Sequence, residues 1–131
     1  MKAYIAIKYH ANHSNRERIE EISAALERQG FETVCITRDI ERWGKVQFDP
    51  DTLMQRTFKE IDTSDVVVVD LTEKGVGVGI EAGYAFAKDI PIVTIARTGS
   101  DISETLRGIS EILLYDRYND LARLFAETET L

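Results

Sequence analysis

The chain has a single cysteine, and no apolar stretch approaches the roughly 20 residues that span a bilayer. One cysteine excludes a disulfide framework and any Cys-based metal site. Cys35 falls in a predicted strand, Thr33–Ile36, and reads as a buried thiol rather than a nucleophile. Positive charge is scarce too: 16 Lys and Arg against 23 Asp and Glu give a formal charge of −7. With no block of Lys and Arg to offset it, nucleic acid is excluded as the main partner. A single small anion held by backbone N–H groups remains permitted. Repeats, low-complexity tracts and linkers are absent, so the expectation is one domain over residues 1–131, long enough for a real core and too short for two ordinary ones. A strand starts at the N-terminus, leaving no room for a signal peptide, and the expected location is the cytoplasm. What is present, 44% hydrophobic and 30% charged residues, is the composition of a soluble globular protein.

Strands and helices alternate strictly along the chain. Predicted strands are Ala3–Ile7, Thr33–Ile36, Val66–Val69, Pro91–Ala96 and Ile112–Tyr115. Val66–Val69 is an unbroken Val run, too short for a helix, and reads as a strand buried on both faces of a parallel sheet. Ser14-Asn-Arg-Glu17 is a capping box opening the first helix, which carries Ile19, Ile22 and Leu26 on one face and stops at Gly30. Residues 37–48 form the longest irregular connection, a length that functional loops often have. Asp49-Pro50 supplies an N-cap and a proline at the first position of the second helix, which offers Met54, Phe58 and Ile61 to the core. The third helix is expected over Ile80–Lys88, a short capped turn or helix at Asp101–Arg107, and a closing helix over Tyr118–Glu127 with Leu121, Leu124 and Phe125 inward. Right-handed crossovers then give an α/β fold: a doubly wound five-stranded parallel sheet of flavodoxin-like order 2-1-3-4-5, with helices on both faces.

Most of the chemistry gathers in residues 65–87. Gly75, Gly77 and Gly79 form a predicted loop between the Val strand and the third helix. Its free N–H groups at a positive helix end suit a phosphate or a developing anion, or else the glycines simply allow a tight turn. Gly77-x-Gly79-x-x-Ala82 matches a relaxed dinucleotide fingerprint, but it follows the third strand and lacks the distal acidic residue. No Gly-Lys-Ser/Thr of a Walker loop is present. Glu81, expected in the first turn of the helix, sits at the carboxyl edge of the sheet, where open α/β sheets bind ligands. It is either a solvated acid complementing the dipole or an ionised carboxylate able to attack an electrophilic carbon, as in retaining glycosidases. Asp70 ends the Val strand, but Ile7-Lys8-Tyr9-His10 lacks the acidic pair of a phosphorylated receiver domain.

Other groups at the same edge each admit two readings. Ser103 and Arg107, in the turn after the fourth strand, suit a phosphate or plain helix capping. His10, Asn12 and His13 cluster after the first strand without a third metal ligand, and read as solvated loop residues. Trp43 and Phe48 either stack on a base or anchor the long loop.

Asp65–Ala87, with Gly75-Val-Gly-Val-Gly-Ile-Glu81-Ala-Gly-Tyr-Ala, closely resembles the nucleoside 2-deoxyribosyltransferase family, and within it the 2′-deoxynucleoside 5′-phosphate N-hydrolases. A second specific match is Ser103-x-x-x-Arg107-Gly108. The resemblance implies that Glu81 is the nucleophile that attacks C1′ of the sugar and expels the base. It implies that Ser103 with Arg107 binds the 5′-phosphate and that the backbone at Gly77 faces the nucleotide. Gly75 stands where the hydrolases have a further phosphate-contacting serine. Ile7, Lys8, Tyr9 and His10 occupy the place of the family's Gly-Ser-rich nucleotide-binding turn, and Thr57 that of its usual aspartate. The implied activity is cleavage or transfer at the N-glycosidic bond of a nucleoside or nucleoside 5′-monophosphate. It requires no cofactor and no metal. The alternatives are a non-catalytic nucleotide-binding or signalling module, and more remotely an interaction domain. A homodimer is also implied, with the second and third helices as the contact, because Met54, Phe58, Tyr84 and Phe86 cannot all face one sheet.

Overall fold

A computed structural model describes residues 1–131. Five strands form one parallel sheet: β1 Lys2–Ala6, β2 Glu32–Val34, β3 Val66–Asp70, β4 Ile92–Arg97 and β5 Glu111–Tyr115. Their order is β2-β1-β3-β4-β5, as expected, and every pair is parallel. The central strand β3 is buried at all five positions, which is why it reads as a run of valines rather than an alternating strand. Its register sets Val67 beside Tyr4 of β1 and Ile92 of β4.

Successive side chains of a strand point to opposite faces, so each strand feeds two cores. On one face Ala3, Ile5, Val66 and Val68 pack against Ile19, Ile22 and Leu26 of α1 (Arg16–Glu27) and against Leu121 and Phe125 of α5 (Asn119–Glu127). On the other, Tyr4, Ala6, Val67 and Val69 meet Ile61 of α2 (Pro50–Asp62), Val78, Ala82 and Ala85 of α3 (Val76–Ala87), and Leu106 of α4 (Glu104–Ile109). Helices therefore cover both faces. None is long and apolar enough to cross a membrane.

Three local expectations are corrected. The first helix has no capping box. Its N-cap is Asn15, and the Asn15 side chain instead donates to the Lys8 carbonyl at 2.8 Å, tying the helix start to the end of β1. The second strand ends at Val34, and Ile36–Ile40 form one π-helical turn at the head of the long connection. The third helix begins at Val76, four residues earlier than expected. Glycine disfavours helices by only about 1 kcal/mol, and burying Val78, Ala82 and Ala85 against the sheet outweighs that. By contrast Asp49 caps α2 as expected, accepting from Thr52 N at 2.8 Å ahead of Pro50.

Candidate active site

The ends of β1 and β2, α2 and the first two turns of α3 enclose a cavity of about 390 Å³ over the carboxyl edge of β1. That is within the size of a small-molecule site. Glu81 lies on its wall, in the second turn of α3 rather than the first. The Tyr4 hydroxyl, projecting from the middle of β1, donates to Glu81 Oε1 at 2.5 Å. Glu81 Oε2 has no partner within the protein. One carboxylate oxygen is thus held and the other is free to face a ligand.

The expectation that the dipole keeps Glu81 ionised near neutral pH holds only in part. Burial raises its carboxyl to about 7, and the Tyr4 hydrogen bond only partly opposes the rise. Position weakens the opposing effect of the dipole, which acts within the first turn, and Glu81 lies beyond it. Tyr4 itself is pushed well above its ordinary value by burial and by the Glu81 charge, so it stays a donor.

Gly75 is the N-cap of α3, with extended backbone. A Cβ there would sit 3.3 Å from Lys8 Cγ, a tight contact that a small shift of the lysine side chain relieves. Gly77 and Gly79 are helical residues with open space around them rather than parts of a loop. The first helical bond runs from Gly79 N to Gly75 O at 3.3 Å, leaving the N–H groups of Val76, Gly77 and Val78 unpaired in the first turn. Gly75 and Gly77 line the cavity; Gly79 does not.

Of the Ile7–His10 segment, Ile7, Lys8 and Tyr9 line the cavity. Lys8 has no ion-pair partner. His10 lies outside and bonds Glu73 at 3.0 Å, while His13 bonds the Trp43 carbonyl at 2.9 Å. Ser103 and Arg107 also lie outside: Ser103 stands at the N-cap position of the six-residue α4 without a side-chain capping bond, its hydroxyl 3.1 Å from that of Thr105, and Arg107 pairs with Glu104 at 3.7 Å. The turn holding Ser103 is tethered to the loop before α3 by Lys74–Asp101 at 2.6 Å. Trp43 and Phe48 are away from the cavity as well. Arg16 stacks over the Trp43 ring at 4.6 Å and His13 meets its edge, so Trp43 anchors the loop.

Thr57 does line the cavity, but its hydroxyl donates back to Leu53 O at 2.8 Å within α2. Cys35 is a buried thiol raised to about 12 by burial, as an inert core cysteine should be. Two wall residues escaped the sequence reading. Tyr4 sits in an apolar strand and looks like core. Glu41 lies in the irregular connection, where no periodicity marks it.

Asp70 faces the opposite core and is engaged there. Arg18 Nε lies 3.0 Å from Asp70 Oδ2, and Arg18 Nη2 lies 2.7 Å from Glu73 Oε1.

Comparison with known proteins agrees with this fold. The family model described as nucleoside 2-deoxyribosyltransferase matches residues 3–113. A Thermofilum pendens protein carrying the provisional name 2′-deoxynucleoside 5′-phosphate N-hydrolase 1 is 24% identical over 119 residues, 84% of this chain and 79% of that protein. Among solved structures, the Clostridium botulinum CMP N-glycosidase BcmB superposes with a TM-score of 0.68 at 18% identity, covering 96% of this chain and 99% of that one. The 2-deoxyribosyltransferase of Bacillus psychrosaccharolyticus superposes with a TM-score of 0.72 at 14% identity, covering 93% and 90%.

Proposed function

This chain belongs to the nucleoside 2-deoxyribosyltransferase family, and on that premise we propose that it breaks the N-glycosidic bond of a nucleoside or nucleoside 5′-monophosphate, with Glu81 as the nucleophile. The observation that carries the reading is the Tyr4–Glu81 pair on the cavity wall, 2.5 Å long, with Glu81 Oε2 free. Oε2 attacks C1′ as the bond from C1′ to the base nitrogen breaks. The bonding electrons leave with the base, which takes a proton from solvent. Water or a second base then attacks C1′ and displaces the carboxylate. Tyr4 fixes the carboxylate's orientation, and the apolar wall of Ile5, Ile7 and Val78 limits water around it. A carboxyl near 7 is partly ionised at neutral pH, as the attack requires.

A 5′-monophosphate is the favoured form of substrate, because the names of the Thermofilum and Clostridium relatives both specify a nucleotide. Lys8 and the free N–H groups at the start of α3 supply positive potential at the cavity wall. Ser103 and Arg107 stand one tethered turn away and remain candidates for the phosphate end. The second reading, a binding module that keeps the pocket without the reaction, draws on Thr57 standing in the place of the family's aspartate.

The test is incubation with a panel of nucleosides and 5′-monophosphates, followed by detection of free base. Monophosphates should react, with affinity at least about tenfold above their nucleosides, the value of one charge-assisted contact. Lys8→Ala, and separately Ser103→Ala with Arg107→Ala, identifies which group supplies that preference. Nucleotide binding without any base release would establish the binding module instead.

A further inference from the structure

We propose that Glu41 reads the nucleobase and selects bases bearing an exocyclic amino group, an assignment that rests on the nucleotide-site reading above. The placement follows from topology. Strand order β2-β1-β3 puts the π-helical turn after β2 on one side of β1 and α3, with Glu81, on the other. In-line attack by Glu81 puts the base on the side of C1′ away from Glu81, toward the opposite wall. With C1′ at Glu81, the far edge of the base meets the wall built by Ile36, Thr37, Glu41, Leu53 and Met54.

Chemistry then narrows the base. Ile36, Leu53 and Met54 offer apolar contact to its faces. Among the polar groups of this wall, the Thr37 hydroxyl either donates or accepts, and Glu41 as a carboxylate only accepts. The Glu41 carboxylate has no ion pair and no hydrogen bond within the protein. Lys8, the cavity's cation, lies on the other side, against Gly75. An amino group offers N–H donors to Glu41, whereas a carbonyl oxygen in its place leaves two acceptors facing each other. Sites built around such a bond reject the analogue that lacks it.

The backbone holds Glu41 in an unusual way. It directly follows the π-helical turn Ile36–Ile40, a form that recurs at functional sites. The next two residues, Arg42 and Trp43, are left-handed non-glycine residues with φ of 49° and 56°. Such conformations persist where surrounding structure enforces them, and they cluster at ligand clamps. Here the enforcing contacts are Trp43 N to Thr37 O at 2.8 Å, Val46 N to Glu41 O at 3.0 Å, and the Trp43 ring between Arg16 and His13. Glu41 is partly buried, which raises its carboxyl, opposed by the charge of His13.

The experiment uses substrate pairs that differ only by amino for oxo: cytidine against uridine 5′-monophosphate, and adenosine against inosine 5′-monophosphate. Base release by the wild type should favour the amino member of a pair by at least about tenfold in kcat/KM. Glu41→Gln, whose amide both donates and accepts, should bring the ratio to within about threefold, with circular dichroism confirming the fold. Equal use of both members by the wild type, or a ratio unchanged in Glu41→Gln, overturns the assignment. Calorimetric titration of the same pairs into Glu81→Gln, with and without Glu41→Gln, reads binding apart from turnover. An amino preference there that Glu41→Gln removes supports the assignment even if no substrate is turned over, in which case the catalytic reading alone fails. Absence of preference in that titration overturns it.

Discussion

Glu81→Gln should do two opposite things: abolish base release and stabilise the fold at alkaline pH. The carboxyl titrates at about 7 in the folded chain against an ordinary 4.5, because burial disfavours its charge. Between those values the folded state binds more protons than the unfolded state, so stability falls as pH rises through that window. Above it the loss reaches about 3 kcal/mol, at about 1.4 kcal/mol per pKa unit. Glutamine keeps an acceptor for the Tyr4 hydroxyl but never ionises. The variant should therefore match the wild type near pH 4 and exceed it by about 1–3 kcal/mol at pH 8. Roughly 4 °C of melting temperature per kcal/mol is expected for a chain of this length. Urea unfolding of both proteins at the two pH values measures the difference directly. A wild type as stable as the variant at pH 8 would refute the partly desolvated, destabilised Glu81 carboxylate.

Three further outcomes follow from the same geometry. Tyr4→Phe removes the hydrogen bond that favours the ionised carboxylate, so the rising limb of the pH–rate profile should move to higher pH; an unmoved limb would mean Tyr4 does not act through Glu81. Arg18→Ala strands Asp70, which is 1% exposed, with only Thr72 N as partner, and should cost about 3 kcal/mol in urea unfolding; a loss below about 1 kcal/mol would show that the pair is not what sustains Asp70 there. The outward side of α3 leaves Val76, Ile80 and Phe86 exposed at 82%, 47% and 54%, and light scattering at micromolar concentration should return a homodimer built on it; the mass of one 14.8 kDa chain would refute this.

The sheet was legible because its signals are local and redundant. Val66–Val69 announces a strand buried on both faces, and strict alternation of strand and helix leaves few strand orders. Ile19, Ile22 and Leu26 mark the buried face of α1 by spacing alone. The start of α3 was not legible, because three glycines read as a loop until the sheet beneath Val78 and Ala82 rewards the helix. That error displaced Glu81 by a turn and hid the burial that makes its ionisation only partial at neutral pH. Tyr4 and Glu41 were missed for different reasons. A buried tyrosine in a strand looks like packing, and a glutamate in an irregular segment shows its role only when the π-helical turn carries it to the cavity. Ser103 and Arg107 share a sheet edge with Glu81, but sharing an edge does not place them on one cavity wall.

The stereochemistry of transfer tests the nucleophile most directly. A reaction run with methanol as acceptor, with the anomer of the methyl glycoside assigned by nuclear magnetic resonance, reports whether C1′ was displaced once or twice. A glycosyl–Glu81 intermediate requires two displacements and so retention, giving the β-anomer from a β-nucleotide. The α-anomer would mean that the acceptor attacks C1′ directly, and that Glu81 is not the nucleophile.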